Sequence, residues 1–214
     1  MSESEAARAI AYIDGFNLYF GMKSAGLRHY YWLDLHKLAD HVARDFGLNL
    51  VATKYFTARL RPPSDQAKML RQTTYLDALM CSKSIEIVYG SYRSDIRRCR
   101  QCSAEHMQHQ EKKTDVNIAI HLLEDAIADR FDTAFLFSAD SDLSPALEGL
   151  RRVASSKRVI TVFPPRRGSE ELRKLARDIR RLRKRDFERC QLPTRIETPD
   201  GFVLERPSRW AAEP

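Results

Sequence analysis

Asp140 and Asp142 flank Ser141 in "SADSD", directly after "TAFLF", one of the most apolar runs in the chain. Two carboxylates two positions apart at the end of a buried strand repel each other, and desolvation strengthens the repulsion. A third carboxylate, Asp14, ends another apolar run, "RAIAYID", and Asn17 follows it closely in "YIDGFNLYF". A fourth, Asp115, opens the helical pattern "TDVNIAIHLLEDAIADRF". Two like charges about 4 Å apart at an effective dielectric near 20 repel by roughly 4 kcal/mol. Three or four gathered at one place stay ionised only beside a cation. An all-oxygen cluster with no convergent His or Cys suits a hard divalent ion, Mg2+ or Mn2+. Such an ion keeps several waters, leaves room for phosphate oxygens and can promote phosphodiester cleavage. Singly, each residue has a plainer role. Asp14 can start a turn with Gly15, Asp140 and Asp142 can cap a helix, and Asp115 can favour a helix dipole.

Convergence depends on the elements that carry these residues. Apolar or β-branched runs at 8–14, 49–60, 85–93, 133–139 and 158–164 predict five strands. Helical spacing covers 33–46, 64–82, 114–131, 144–155 and a basic segment at about 169–187. Ser64, Thr114 and Ser144 are the candidate N-caps, with Pro145 at a first helical position. Alternating strands and helices with apolar strands predict a parallel sheet covered on both faces. Such sheets place their sites at the carboxyl ends of strands, at a topological switch point. In the order 3-2-1-4-5, the first and fourth strands are neighbours, so Asp14, Asp140 and Asp142 meet there. Asp115 approaches from the helix that feeds the fourth strand, and Asn17 adds a neutral oxygen or a donor.

At these residues the sequence resembles the NYN domain, a branch of the PIN-like ribonuclease superfamily. "YIDGFNLYF" is similar to its D-G-x-N-L opening, "EKKTDVNIAIHLL" to its E-K-x-x-D-V motif and "FLFSADSDLSPAL" to its S-x-D-S-D-x-x-P motif. The resemblance runs on through "LP…DGF…RPSRW" and so covers almost the whole chain. It implies an α/β, three-layer PIN-like (Rossmannoid) fold and metal-dependent cleavage of RNA. By motif, Asp14, Asp115, Asp140 and Asp142 would be the acidic, metal-holding site, supported by Asn17 and Ser138. Lys112 matches the motif lysine, which would neutralise a carboxylate or bind phosphate; a solvated lysine ahead of a helix is the plainer reading. Ala139 stands where the family often has Gly, a change that removes no ligand.

The chain has 214 residues and a formal net charge of +7. That length suits one domain: residues 1–190 as the nuclease unit, a polar, irregular insertion at 94–111, and a tail, 191–214, forming a short hairpin or ordered wrap. Between Arg166 and Arg189, eleven Lys or Arg face five Asp or Glu. Read as a helix, this stretch docks through Leu172, Leu175, Ile179 and Leu182. It would then present Arg173, Lys174, Arg177, Arg180, Arg181, Lys184 and Arg185 to phosphates, or simply to water. Tyr19 or Phe20, near Asp14, could stack on a base. Cys99, Cys102, His106 and His109 offer a C-x-x-C half-site and two imidazoles for structural Zn2+, though with a Cys-to-His spacing much shorter than a zinc finger's. Free thiols on a mobile loop are the other reading, and Cys81 and Cys190 read as isolated thiols.

The start "MSESEAARAI" has neither a basic nor an apolar signal region, and no run is long enough for a membrane span. The expected compartment is the cytoplasm. The absence of G-x-x-x-x-G-K-[ST] disfavours a P-loop NTPase. Phe16 stands where a haloacid-dehalogenase-like phosphatase needs a second Asp. The expected function is thus a cytoplasmic Mg2+- or Mn2+-dependent endoribonuclease acting on single-stranded or structured RNA. Its rival is a non-catalytic RNA-binding or regulatory module that keeps the fold.

Overall fold

The computed structural model describes residues 7–62, 65–82, 84–98 and 105–211. The chain begins β1 (Arg8–Asp14), α1 (Gly15–Ser24), α2 (Leu35–Asp45), β2 (Asn49–Thr57), α3 (Gln66–Met80) and β3 (Ile85–Tyr89). A hairpin, β4 (Ser91–Arg98) and β5 (Glu105–Lys112), leads into α4 (Thr114–Ile127). There follow β6 (Thr133–Phe137), α5 (Ser144–Val153), β7 (Arg158–Phe163), α6 (Glu170–Leu175), β8 (Asp178–Arg181) and α7 (Lys184–Arg189). The tail forms β9 (Arg195–Glu197) and β10 (Val203–Glu205), an antiparallel pair as expected.

Six strands make one parallel sheet in the order β3-β2-β1-β6-β7-β8. β1 and β6 are central because "AIAYID" and "TAFLF" are buried throughout, so neither face of these strands can meet water. Successive side chains feed opposite cores. Ile13, Phe135 and Phe137 pack with Leu18, Leu38 and Leu76 from α1, α2 and α3. Tyr12 and Leu136 pack with Ile118, Leu122, Leu147 and Leu172 from α4, α5 and α6. A polar knot crosses the second core. Asp125, fully buried, accepts from the Tyr12 hydroxyl at 2.6 Å and ion-pairs Lys54 and Arg130 at 2.7 Å each.

Several sequence expectations are corrected. Residues 169–187 do not form one helix: α6 stops at Leu175, and the chain adds β8 as a sixth strand beside β7. On one helix Ile179 and Leu182 would share a face. In the fold Ile179 packs against one core and Leu182 against the other, as a strand and its exit allow. The described part of the 94–111 segment is not irregular, because 91–98 and 105–112 pair in register from Ser91↔Lys112 to Arg98↔Glu105. The zinc expectation falls partly outside the described residues, at Cys99 and Cys102. His106 and His109 are described only as backbone in β5. Ser64 also lies outside the described residues, and Asp65 caps α3 through the Lys68 N–H at 2.7 Å. Thr114 does not cap α4: Lys113, at φ 77°, takes that position and leaves the Thr114 hydroxyl buried without a partner. Ser144 is the first residue of α5, and its hydroxyl donates to the Ser141 carbonyl at 2.6 Å. Among the described residues, Cys81 and Cys190 are free thiols, and burial pushes the Cys190 thiol up to about 11.

Candidate active site

Asp14 is the last residue of β1 and the N-cap of α1. The strand fixes its backbone, and the helix takes one carboxylate oxygen: Oδ1 accepts from the Asn17 N–H at 2.9 Å. Oδ2 accepts from the Ser138 hydroxyl at 2.8 Å, which ties β1 to the end of β6. The Ser138 oxygen in turn accepts from the Asp140 N–H at 3.1 Å. Asn17 closes the frame, its side-chain oxygen accepting from the Ala139 N–H at 3.1 Å. Asp14, Asn17 and Ser138 are all buried. The expected adjacency of the first strand and the "TAFLF" strand at the carboxyl edge is therefore present, and it also engages the two helper residues.

Space at this junction is limiting. A Cβ on Gly15 would lie 2.7 Å from the Phe56 carbonyl oxygen and 2.7 Å from the Tyr55 ring. Backbone cannot swing aside as a flexible side chain can, so Gly15→Ala is expected to destabilise the fold by about 1–3 kcal/mol. A urea titration checks this, and an unchanged midpoint would contradict the close approach.

Asp140 caps the short turn Ser141–Leu143, its Oδ1 accepting from the Asp142 N–H at 3.1 Å. Asp115 stands in the first turn of α4. Burial pushes the Asp14 carboxyl up to about 6; the hydrogen bonds from Asn17 and Ser138 oppose that rise, and the charges of Asp115 and Asp140 add to it. Asp115 is likewise raised, first by burial and then by Asp140 and Asp142. All four aspartates thus belong to one electrostatic neighbourhood. Asp14, Asp115 and Asp140 line a single cleft, whereas Asp142 is exposed and outside its lining.

The donor set is all oxygen, and burial followed by the neighbouring carboxylates raises the proton affinity of both Asp14 and Asp115, which fits a hard divalent cation. Among the described residues, however, no three His, Cys, Asp or Glu side chains are gathered closely enough to hold a metal as they stand.

The cleft has a volume of about 1000 Å3 and continues past the carboxylates. Tyr19, Phe20, Tyr31, Tyr75 and Trp210 line it together with Lys23, Lys68, Arg71, Arg167 and Arg209. Phe20 is 42% exposed and lies between Lys23 and Arg167, each 5.9 Å from its ring centre.

The basic segment is divided among several tasks. Arg173, Arg180, Arg181 and Arg185 meet at a second hollow of about 430 Å3. Arg180 is largely committed within it, ion-pairing Asp186 at 2.9 Å and Asp45 at 3.0 Å, and Arg173 pairs with Glu170 at 3.2 Å. Arg181 lies over Phe163 and donates to the Arg167 carbonyl at 3.2 Å, linking this hollow to the edge of the main cleft. Lys184 pairs with Glu188, while Lys112, Lys174 and Arg177 are exposed and line neither hollow. The sequence reading missed Lys68, Arg71, Arg167, Arg209 and Trp210. The spacing of Lys68 and Arg71, one helical turn apart, was the available signal for two of them.

The NYN domain matches residues 8–182. Over 251 aligned positions, the chain is 28% identical to 6-hydroxy-3-succinoylpyridine 3-monooxygenase HspA of Pseudomonas putida, covering 99% of this chain and 78% of that protein. A crystal structure of a protein of unknown function from Vibrio parahaemolyticus superposes with a TM-score of 0.55 at 19% identity, covering 86% of this chain and 97% of that one. That likeness supports the PIN-like α/β fold. NYN domains are in general nucleases and typically use divalent metals. With its six-stranded parallel sheet and a family match spanning most of its length, the chain belongs to the NYN domain family.

Proposed function

We propose that the protein is a Mg2+- or Mn2+-dependent endoribonuclease. The observation that carries this reading is the frame Asn17–Asp14–Ser138 at the junction of β1 and β6, with Asp115 and Asp140 close enough to raise Asp14 further. Asp14, Asp115 and Asp140 would hold the cation, with Asp142 at the rim. When bound, the cation would activate water and neutralise charge developing on the phosphate and leaving oxygen. Ser138 and Asn17 fix the rotamer and height of Asp14. The aromatic and basic wall of the cleft would seat bases and phosphates, and Arg181 and Arg185 would extend the phosphate path outward.

Cleavage of a labelled single-stranded RNA should require Mg2+ or Mn2+ and stop with chelator. Asp140→Asn, purified in the same way, should be at least tenfold slower, which excludes a contaminating nuclease. Cleavage that persists in chelator, or at an equal rate in the variant, would refute the reading. RNA binding without cleavage would instead support the non-catalytic module.

A second reading follows from the relative of Pseudomonas putida, named for oxygenation of a succinoylpyridine. The flat rings and cations of the cleft are compatible with an aromatic acid. Monooxygenation takes one atom of O2 into the substrate and reduces the other to water, so it consumes an external reductant. Substrate-dependent oxidation of a reduced nicotinamide or flavin by the purified protein would favour this reading over the first.

Among the described residues, no helix is long and apolar enough to cross a membrane.

A further inference from the structure

The main cleft is walled partly by residues beyond the family match, which ends at residue 182. The tail returns to the domain through specific contacts. The Trp32 indole N–H donates to the Pro193 carbonyl at 2.7 Å, and His29 Nδ1 lies 2.8 Å from the Ala211 carbonyl. Trp210 packs its ring against Tyr31, Trp32 and Tyr75, with centroids 5.9, 6.4 and 5.9 Å away. Tyr75 is anchored in turn, its hydroxyl donating to the Leu33 carbonyl at 2.7 Å. This packing holds Arg209, the preceding residue, at the cleft.

Across from Arg209, α3 contributes Lys68 and Arg71, spaced to share one face. Among the described residues, no carboxylate ion-pairs Lys68, Arg71 or Arg209, although such pairs occur elsewhere on the surface. Asp65 also lines the cleft, but it is engaged as the cap of α3. Arg71 and Arg209 both act on the Tyr19 hydroxyl, opposing the upward pull of burial on it. Tyr19 therefore marks where cations from two distant parts of the chain converge. It lies on α1, about 6 Å along the helix axis from the Gly15 end that abuts the carboxylates.

We propose that Lys68, Arg71 and Arg209 form an anion subsite that binds a phosphate of single-stranded RNA away from the scissile bond, with Trp210 as the positioning residue for Arg209. The proposal rests on the nuclease reading and adds a second grip on the strand. Phosphate contacts of this kind set position and register without reading sequence.

The test is anisotropy of a fluorescein-labelled oligouridylate in chelator, titrated with full-length protein at several salt concentrations. R71Q/R209Q should bind more weakly, and its log Kd against log salt slope should be shallower by roughly 1.4, or 0.7 per lost contact. Its melting temperature should match wild type, because neither side chain has an ion pair to lose. Trp210→Ala should weaken binding in the same direction and, unlike the double variant, lower the melting temperature. An unchanged slope for R71Q/R209Q, with wild-type RNA cleavage in metal, would overturn the subsite and leave the nuclease reading standing. Failure of the wild-type protein to bind or cleave RNA at all would overturn both.

Discussion

Replacing Asp14 with Asn is expected to slow metal-dependent cleavage by about a thousandfold or more, and to stabilise the metal-free fold at neutral pH. The first effect is the loss of several kcal/mol of charge stabilisation at the reacting phosphate. The second follows from burial. Asp14 is 3% exposed and its carboxyl is pushed up to about 6 from an ordinary 3.8. A carboxyl raised on folding favours the folded state fully only below its unfolded pKa. Between about pH 4 and 6 the unfolded chain loses this proton and the folded chain keeps it, so stability falls as pH rises. The loss from this group approaches 3 kcal/mol at neutral pH, on the order of 1.4 kcal/mol per pKa unit. Asn keeps the N-cap of α1 and can still meet Ser138 without carrying the charge. Urea titrations in chelator at pH 4 and pH 7 should show the variant gaining stability relative to wild type across the interval, whatever the other carboxylates contribute to both proteins. Equal pH dependence in the two proteins would contradict the assigned burial of the charge. Wild-type cleavage by the variant would remove Asp14 from the chemistry.

Lys54→Met is the other substitution with a large expected effect, and it acts through the fold. The fully buried Asp125 accepts from Tyr12 and ion-pairs Lys54 and Arg130, so it joins α4 to β1 and β2. Removing the mostly buried lysine leaves the carboxylate under-compensated, which typically costs about 3–5 kcal/mol. Arg130 is 60% exposed in its side chain and only partly replaces it. Lys54→Met/Asp125→Leu should recover part of the loss, because an apolar pair buries no charge. Denaturant unfolding distinguishes the outcomes, and a loss below about 1 kcal/mol for the single variant would mean that water reaches Asp125.

The sheet and its acidic edge were legible in the sequence for one physical reason. Buried parallel strands are apolar on both faces, so "RAIAYID" and "TAFLF" identify themselves, and the carboxylates that end them stand out. β8 was hidden because Leu172, Leu175, Ile179 and Leu182 satisfy helical spacing while belonging to two different cores. The β4–β5 hairpin was hidden because "SYRSDIRR" and "EHMQHQEK" show no apolar alternation; the pair is held by a ladder outside the main sheet. The four aspartates were named from sequence, but not the separation of Asp142 from the cleft that the other three line. The cationic wall was invisible for a different reason. Arg71 and Arg209 are brought together by the docking of the tail, and no local pattern records that contact.

The pairing of β1 with β6 also shapes how the protein acquires its site in time. Ala9 pairs with Thr133 there, whereas on the other side of β1 Ala11 pairs with Thr53. Closing the longer loop costs about 1 kcal/mol more in chain entropy than closing the shorter one. The β1–β2 side can therefore assemble early from nearby segments, while the β1–β6 seam is among the least local events of folding. The Ser138–Asp14 hydrogen bond spans that seam, joining residues 124 positions apart. A folding intermediate with β1, β2 and α2 in place would already possess a hydrophobic core and still lack the acidic frame. Such a species would be compact and inert, and the carboxylates would become a site only when the last long loop of the central sheet closes.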